Sequence, residues 1–155
     1  MKHNQVRHTI IETASQLFYA NGYNRTGINE VISESGVAKA TLYNHFRSKD
    51  ELCLAYLDNR NKHFMEAIRA FVAPLNVGQV HVCCVFSFLK TFYNADWFNG
   101  CWCINTIAEI PEYNVIIRSE IQDQKKGLMQ FMEGLIEVAY PKHTQEENEK
   151  LAQKI

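Results

Sequence analysis

Gly36 stands between two short apolar stripes, and that punctuation constrains this 155-residue chain more than any other feature. Ahead of it, Ile28, Val31 and Ile32 recur at three- and four-residue steps, which predicts a helix over about Ile28–Ser35. After it, Leu42 and Phe46 are four apart and predict a second short helix ending at Arg47, one face of which is held against a core. From Gly36 to Lys49 four residues can carry positive charge and none is acidic. The free face of the second helix carries Lys39, Thr41, Tyr43, Asn44 and His45, the donor, acceptor and hydroxyl types that reach phosphates and base edges. This is the layout of a DNA-binding helix-turn-helix, a pattern that a short surface helix can imitate unless its flanks agree.

The flanks agree. Val6, Ile10, Ile11, Ala14, Leu17 and Phe18 form the apolar stripe of an amphipathic helix, which Asn21-Gly22 stops, since glycine accepts the left-handed conformation of a helix C-terminus. Ser48-Lys49-Asp50-Glu51 reads as a capping box, with the Ser48 hydroxyl on the third amide and Glu51 reaching back. A long helix therefore starts at about Lys49 and runs through Leu52, Tyr56, Phe64, Ala67, Ile68 and Phe71 to a stop before Pro74.

Three short helices followed by a long one resemble the tetracycline-repressor (TetR) family. The residues that carry the resemblance are Ala14-Ser15-Gln16-Leu17-Phe18 with Asn21-Gly22-Tyr23, Ile28-Asn29-Glu30-Val31-Ile32 leading into Gly36-Val37, Thr41-Leu42-Tyr43-Asn44-His45-Phe46, and Ser48-Lys49-Asp50-Glu51-Leu52. They span about Arg7 to Leu57 without a gap. Two departures stand out. Gly27 occupies the position where the family usually caps the second helix with a hydroxyl, which removes one capping bond. Ile32 replaces a small residue, which would set that helix slightly farther from its neighbours.

The resemblance implies an all-α chain, with a helix-turn-helix DNA-binding domain at 1–48 and a helical regulatory and dimerisation domain at 49–155. It implies Thr26, Tyr43 and Lys49 on DNA phosphates, and Lys39, Thr41, Asn44 and His45 as base-edge candidates, His45 alternatively bonding a phosphate or packing beside the long helix. The implied partner is a palindromic double-stranded operator, read by a homodimer because one recognition helix covers one half-site. Thr144 to Ile155 begins the first of the family's two C-terminal dimerisation helices, and most of the second has no residues here. The expectation is therefore either a truncated form or a dimer with a reduced surface.

Charge supports this division. Residues 1–62 hold eight Lys/Arg against six Asp/Glu, and residues 63–155 hold eight against eleven, so a net charge of −1 conceals local basic groups near Lys39, Arg47 and Lys49. At 46% hydrophobic and 21% charged the chain is not disordered. No run approaches the roughly 20 apolar residues that span a bilayer, and Met1-Lys2-His3-Asn4 does not open a signal peptide, so a cytoplasmic location is expected.

Beyond Pro74 the pattern predicts a helix carrying Val82, Val85, Phe86, Leu89, Phe92 and Tyr93, a short piece from Ile104 to Ile110, and a long helix from Val115 to Tyr140. The buried face of the last is expected to hold Ile117, Ile121, Leu128, Met132, Leu135, Ile136 and Ala139. Gly127 and Gly134, seven apart, either admit a close helix or a ligand, or are tolerated surface glycines.

The regulatory signal is less legible. An effector pocket is expected among Phe86, Phe92, Tyr93, Trp97, Phe98, Trp102, Tyr113, Phe131 and Met132, with Asn105 or Glu109 orienting a polar group. Aromatics at helical spacing also simply build cores. Gly100-Cys101-Trp102-Cys103-Ile104-Asn105 is similar to a Gly-Cys-apolar-apolar-Asn pattern in one branch of the family, some members of which sense electrophiles or oxidants. Thiol sensing at Cys101, with Cys103 as a neighbour, is thus the alternative to an inert buried cysteine; no Lys or Arg lies within ten residues to activate it. Cys83-Cys84 are adjacent and poorly placed to pair, and Cys53 reads as ordinary packing. Cys101 and Cys103 with His63 or His81 offer only a weak metal pattern, so no metal and no cofactor is assigned. Catalysis is not expected, for there is no phosphate loop and no nucleophile with a base. A helical module that binds protein instead of DNA remains the rival class.

Overall fold

The computed structural model describes residues 2–74, 80–93 and 95–154, the side chains of 2, 80–82 and 93 excepted. Among the described residues every regular element is an α-helix: α1 Lys2–Asn21, α2 Ile28–Ser35, α3 Lys39–His45, α4 Lys49–Val72, α5 Val80–Tyr93, α6 Trp102–Glu109, α7 Val115–Ala139 and α8 Gln145–Ala152.

The predicted stops hold for physical reasons. Gly22 and Gly36 both take positive φ, 88° and 66°, and so close α1 and α2 where a Cβ would be strained. At α4 the Ser48 hydroxyl accepts the Glu51 amide at 3.1 Å, while the Glu51 carboxylate accepts the amide of Arg47 at 2.7 Å, one residue beyond the ideal capping box. Gly27 gives α2 no side-chain cap, but Glu30 supplies the reciprocal half by accepting the Gly27 amide at 3.3 Å.

The chain forms two compact units that do not follow its order. Unit 1 comprises residues 1–62 and 99–121, and unit 2 comprises 63–98 and 122–155. The sequence placed residues 49–62 and 99–121 with the regulatory domain. They join unit 1 because Leu52, Cys53, Tyr56 and Leu57 of α4, Cys103 of α6, Ile110, and Ile117 and Ile121 of α7 share one buried cluster with Ile10, Ala14, Phe18, Val31, Leu42 and Phe46. A side chain of this size removed from water contributes about 1.5–3 kcal/mol, so these apolar residues outweigh chain order.

Polar ties hold residues 99–118 within unit 1. The Tyr19 hydroxyl donates to the Gly100 carbonyl at 3.0 Å and accepts the Asn99 amide at 3.0 Å. Asn99 also donates from its side chain to the Tyr19 carbonyl at 2.8 Å. The Glu109 carboxylate accepts the Asn24 amide at 2.6 Å. Asp50 receives both the Tyr23 hydroxyl and the Asn114 amide, the latter at 2.8 Å. The Arg60 guanidinium lies over the Tyr19 ring at 3.9 Å.

Unit 2 buries Ile68, Val72, Val85, Phe88, Met132, Ile136 and Ala152. Its aromatic core is a chain of ring contacts centred on Phe88, which meets Phe92 at 5.1 Å, Phe71 at 5.5 Å and Phe64 at 5.7 Å; Phe92 meets Trp97 at 5.6 Å. On α7, Leu128, Leu135 and Ala139 are half-buried and not fully covered as expected. A Cβ at Gly127 or Gly134 would meet nothing within 4 Å, so neither marks a close helix approach among the described residues. Thr144 caps α8 through a reciprocal pair with Glu147.

Candidate nucleic-acid interface

The candidate interface is assembled by α2, the left-handed turn at Gly36, and α3. Leu42 is fully buried and Phe46 almost so, which fixes the roll of α3 about its axis. With that face anchored, Lys39, Tyr43 and Asn44 are exposed, Tyr43 by 44%, and Thr41 is half-buried beside them. Seven residues are too few for a helix to persist alone, so the presentation of these groups depends on the two anchors and on the end of α3, where the Phe46 amide donates to the Leu42 carbonyl at 2.9 Å.

Lys49, at the first turn of α4, is half-buried. Its ammonium lies 4.3 Å from the centre of the Tyr23 ring and 3.5 Å from the Asn24 carbonyl oxygen. That contact is long for a hydrogen bond, and the ammonium has three donors, so it can also receive a phosphate.

Thr26 is placed differently from the exposed α3 residues. It is only 1% exposed, and its hydroxyl is shared between the Gly22 carbonyl at 2.8 Å and the Leu17 carbonyl at 3.1 Å. It ties the turn after α1 back onto the end of that helix, so its hydroxyl is turned inward and not toward solvent.

His45 does not project as Asn44 does. Its ring is half-buried and meets the His3 ring edge-on, centroids 4.2 Å apart. Burial first, then the nearby His3 and Arg7, push its pKa below the ordinary histidine value. Arg7 itself lies over Phe46, 5.1 Å from the ring centre. His3 and Arg7 escaped the sequence reading, although four-residue spacing of basic groups at the start of α1 was a visible signal.

The sensing candidates fall into different places. Cys103 is buried in the unit 1 cluster; Cys101 and Trp102 are half-buried against it. The Asn105 side-chain amide donates to the Asn99 carbonyl at 2.6 Å and braces the loop before α6. Glu109 is likewise engaged by Asn24. Phe86 and Trp97 belong to unit 2 and are 46% and 56% exposed, whereas Phe88 is buried in its core with Phe64 packed against it. Tyr113 is 84% exposed. The Tyr93 side chain lies outside the described residues. A cleft of about 240 Å³ in unit 1, between α1 and α4, was not foreseen; Arg7, His8, Asp58 and Lys62 are on its rim. Among the described residues no three His, Cys, Asp or Glu side chains gather as metal ligands, and no helix is long and apolar enough to cross a membrane.

Comparison with known proteins agrees with this geometry. The model of the family described as bacterial regulatory proteins, tetR family, matches residues 10–56, from α1 into α4. The fatty acid metabolism regulator protein of Bacillus subtilis is 22% identical over 131 residues, which are 82% of this chain and 64% of that protein. The chain thus spans less than two thirds of that relative's length. Among solved structures, a TetR-family transcriptional regulator from Streptomyces coelicolor is 27% identical with a TM-score of 0.80, covering 87% of this chain and 71% of the other. A second, from Cytophaga hutchinsonii, has a TM-score of 0.85 at 20% identity and covers 99% and 79% of the two chains.

Proposed function

We propose that the chain is a member of the TetR family of bacterial regulatory proteins and acts as a sequence-specific DNA-binding transcriptional regulator, a repressor released from its operator by a small effector. The observation that carries the reading is α3: Leu42 and Phe46 anchor it, and Lys39, Tyr43 and Asn44 face outward. In this reading Lys39, Thr41 and Asn44 take base edges in the major groove, while Tyr43 and Lys49 clamp phosphates. Each good base contact contributes about 1–3 kcal/mol of discrimination. The chain acts as a homodimer on a palindromic operator, because two recognition helices about 34 Å apart read two half-sites.

Release uses the ties within unit 1. Tyr19 with Asn99 and Gly100, and Asn24 with Glu109, fasten the segment around α6 to the end of α1 and the turn before α2. A shift of α6 therefore pulls on the elements that carry α3. The effector is an apolar molecule recognised by the aromatic side chains of unit 2 around Phe64, Phe88 and Phe92. Similarity to a protein named for fatty acid metabolism supports that class. Thermodynamic coupling requires that the effector bind the DNA-free arrangement more tightly than the DNA-bound one.

Capture from fragmented genomic DNA of the source organism tests the reading. The retained fragments should share an inverted repeat with half-site centres about one helical turn apart. Recovery no different from that of an unrelated helical protein would contradict it.

A further inference from the structure

Basic groups from two helices meet where α1 begins and α3 ends. The His3 and His45 rings are 4.2 Å apart at 68°, the His45 ring lies 6.4 Å from Phe46, and the Arg7 guanidinium covers Phe46 at 5.1 Å. Phe46 is buried, so His3, Arg7 and His45 are held at one edge of unit 1, next to the exposed Asn44 in sequence.

Asp58 of α4 lines the same cleft as Arg7, but among the described residues no acid acts on His45 itself. His3 and Arg7, both on α1, are the groups that act electrostatically on His45. Helix α3 itself carries no acid. On α4, Asp50 is occupied by Tyr23 and Asn114, and Glu51 by the Arg47 amide. Two imidazoles in contact beside a guanidinium cannot both be charged without strong repulsion. An anion placed between them reverses that balance, because it attracts the charged form and accepts its N–H.

We propose that His3, Arg7 and His45 form a proton-linked phosphate site, in which His45 takes up a proton from solvent as a DNA backbone phosphate enters between the two rings and the guanidinium. The inference rests on the DNA-binding reading above and adds two residues of α1 to it. Its consequence is a direction: affinity for duplex rises as pH falls through the histidine range, because the complex binds more protons than the free protein. The phosphate is common to every sequence, so the effect does not require the operator.

The probe is a random-sequence duplex about three helical turns long, titrated at about 50 mM salt across about pH 6 to 8. The intact chain should bind several-fold more tightly at the acid end, and calorimetry in two buffers of different ionisation enthalpy should report uptake of a proton fraction. The double variant His3→Gln/His45→Gln should lose most of this slope. Duplex binding with a flat pH profile, with no proton uptake, or with a slope that survives in the folded double variant overturns the proton-linked site and leaves the DNA-binding reading standing. Absence of duplex binding at every pH overturns both. The calorimetric arm needs no variant, so that absence of proton uptake overturns the site even where the double variant fails to fold.

Discussion

The Tyr19 hydroxyl bridges the Gly100 carbonyl and the Asn99 amide, each at 3.0 Å, across about eighty residues of sequence. Through this group the loop before α6 is tied to α1 within the same compact unit as α3.

Tyr19→Phe removes both bonds and keeps the ring under Arg60. The hydroxyl is part-buried, and a net hydrogen bond contributes about 0.5–1.5 kcal/mol, so stability to urea should drop by about 1–2 kcal/mol. If the tie also transmits the signal, DNA binding persists in Tyr19→Phe while release by effector weakens. An unchanged denaturation midpoint would remove Tyr19 from this role.

Thr26→Val separates structure from DNA contact. The shape is kept but the hydroxyl that serves Gly22 and Leu17 is lost, which should cost about 1–2 kcal/mol. The dependence of duplex affinity on salt should remain that of the parent chain, since no phosphate partner has gone. A slope reduced by about one unit would restore Thr26 as a phosphate ligand.

Gly22→Ala should be among the costlier single changes outside the core. At φ 88° a Cβ is strained, and it would stand 2.2 Å from Glu109 Oε1, a carboxylate engaged by Asn24. A loss of about 2 kcal/mol is expected. Part of it should disappear in the Glu109→Ala background, measured as a double-mutant cycle by denaturation. Additive losses would show that the carboxylate gives way freely.

The pattern of these contacts explains what the sequence revealed. The bounds of α2 and α3 were legible because glycine, apolar spacing and a capping box agree locally around Gly36 and Ser48. The membership of residues 99–121 in unit 1 was not, because it depends on Tyr19 meeting Gly100 and Glu109 meeting Asn24, pairs that no local period encodes. Helix α5 is apolar nearly all round, so Val85-Phe86-Leu89 and Val85-Phe88-Phe92 fit a helical stripe equally well, and packing selected the second. The inward turn of Thr26 was hidden for a similar reason: a hydroxyl beside a turn can point to solvent or back to carbonyls, and only the fold decides.

Cysteine chemistry gives an accessible check. Burial, with Asp50 nearby, pushes the Cys53 thiol up to about 12, so it stays protonated and inert at neutral pH. Cys83 is exposed, whereas Cys53 and Cys103 are buried. Alkylation followed by mass mapping should label Cys83 early and Cys53 and Cys103 only on unfolding. The same burial makes the fold alkali-sensitive: above about pH 9 the unfolded thiol releases its proton while the folded one keeps it. The unfolded state then binds fewer protons and stability falls as pH rises. Tyr23 and Tyr56, also raised, act in the same direction. Equal stability to urea at neutral and alkaline pH would contradict this account.

The most direct test of the central claim compares the intact chain with Lys39→Ala/Asn44→Ala on the recovered operator and on a scrambled duplex. Reading by the exposed face of α3 predicts a loss of at least about 1–3 kcal/mol on the operator and a much smaller loss on the scrambled sequence, so that the specificity ratio collapses. Equal losses on both duplexes, or none on either, would contradict the assignment of α3 as the reading helix.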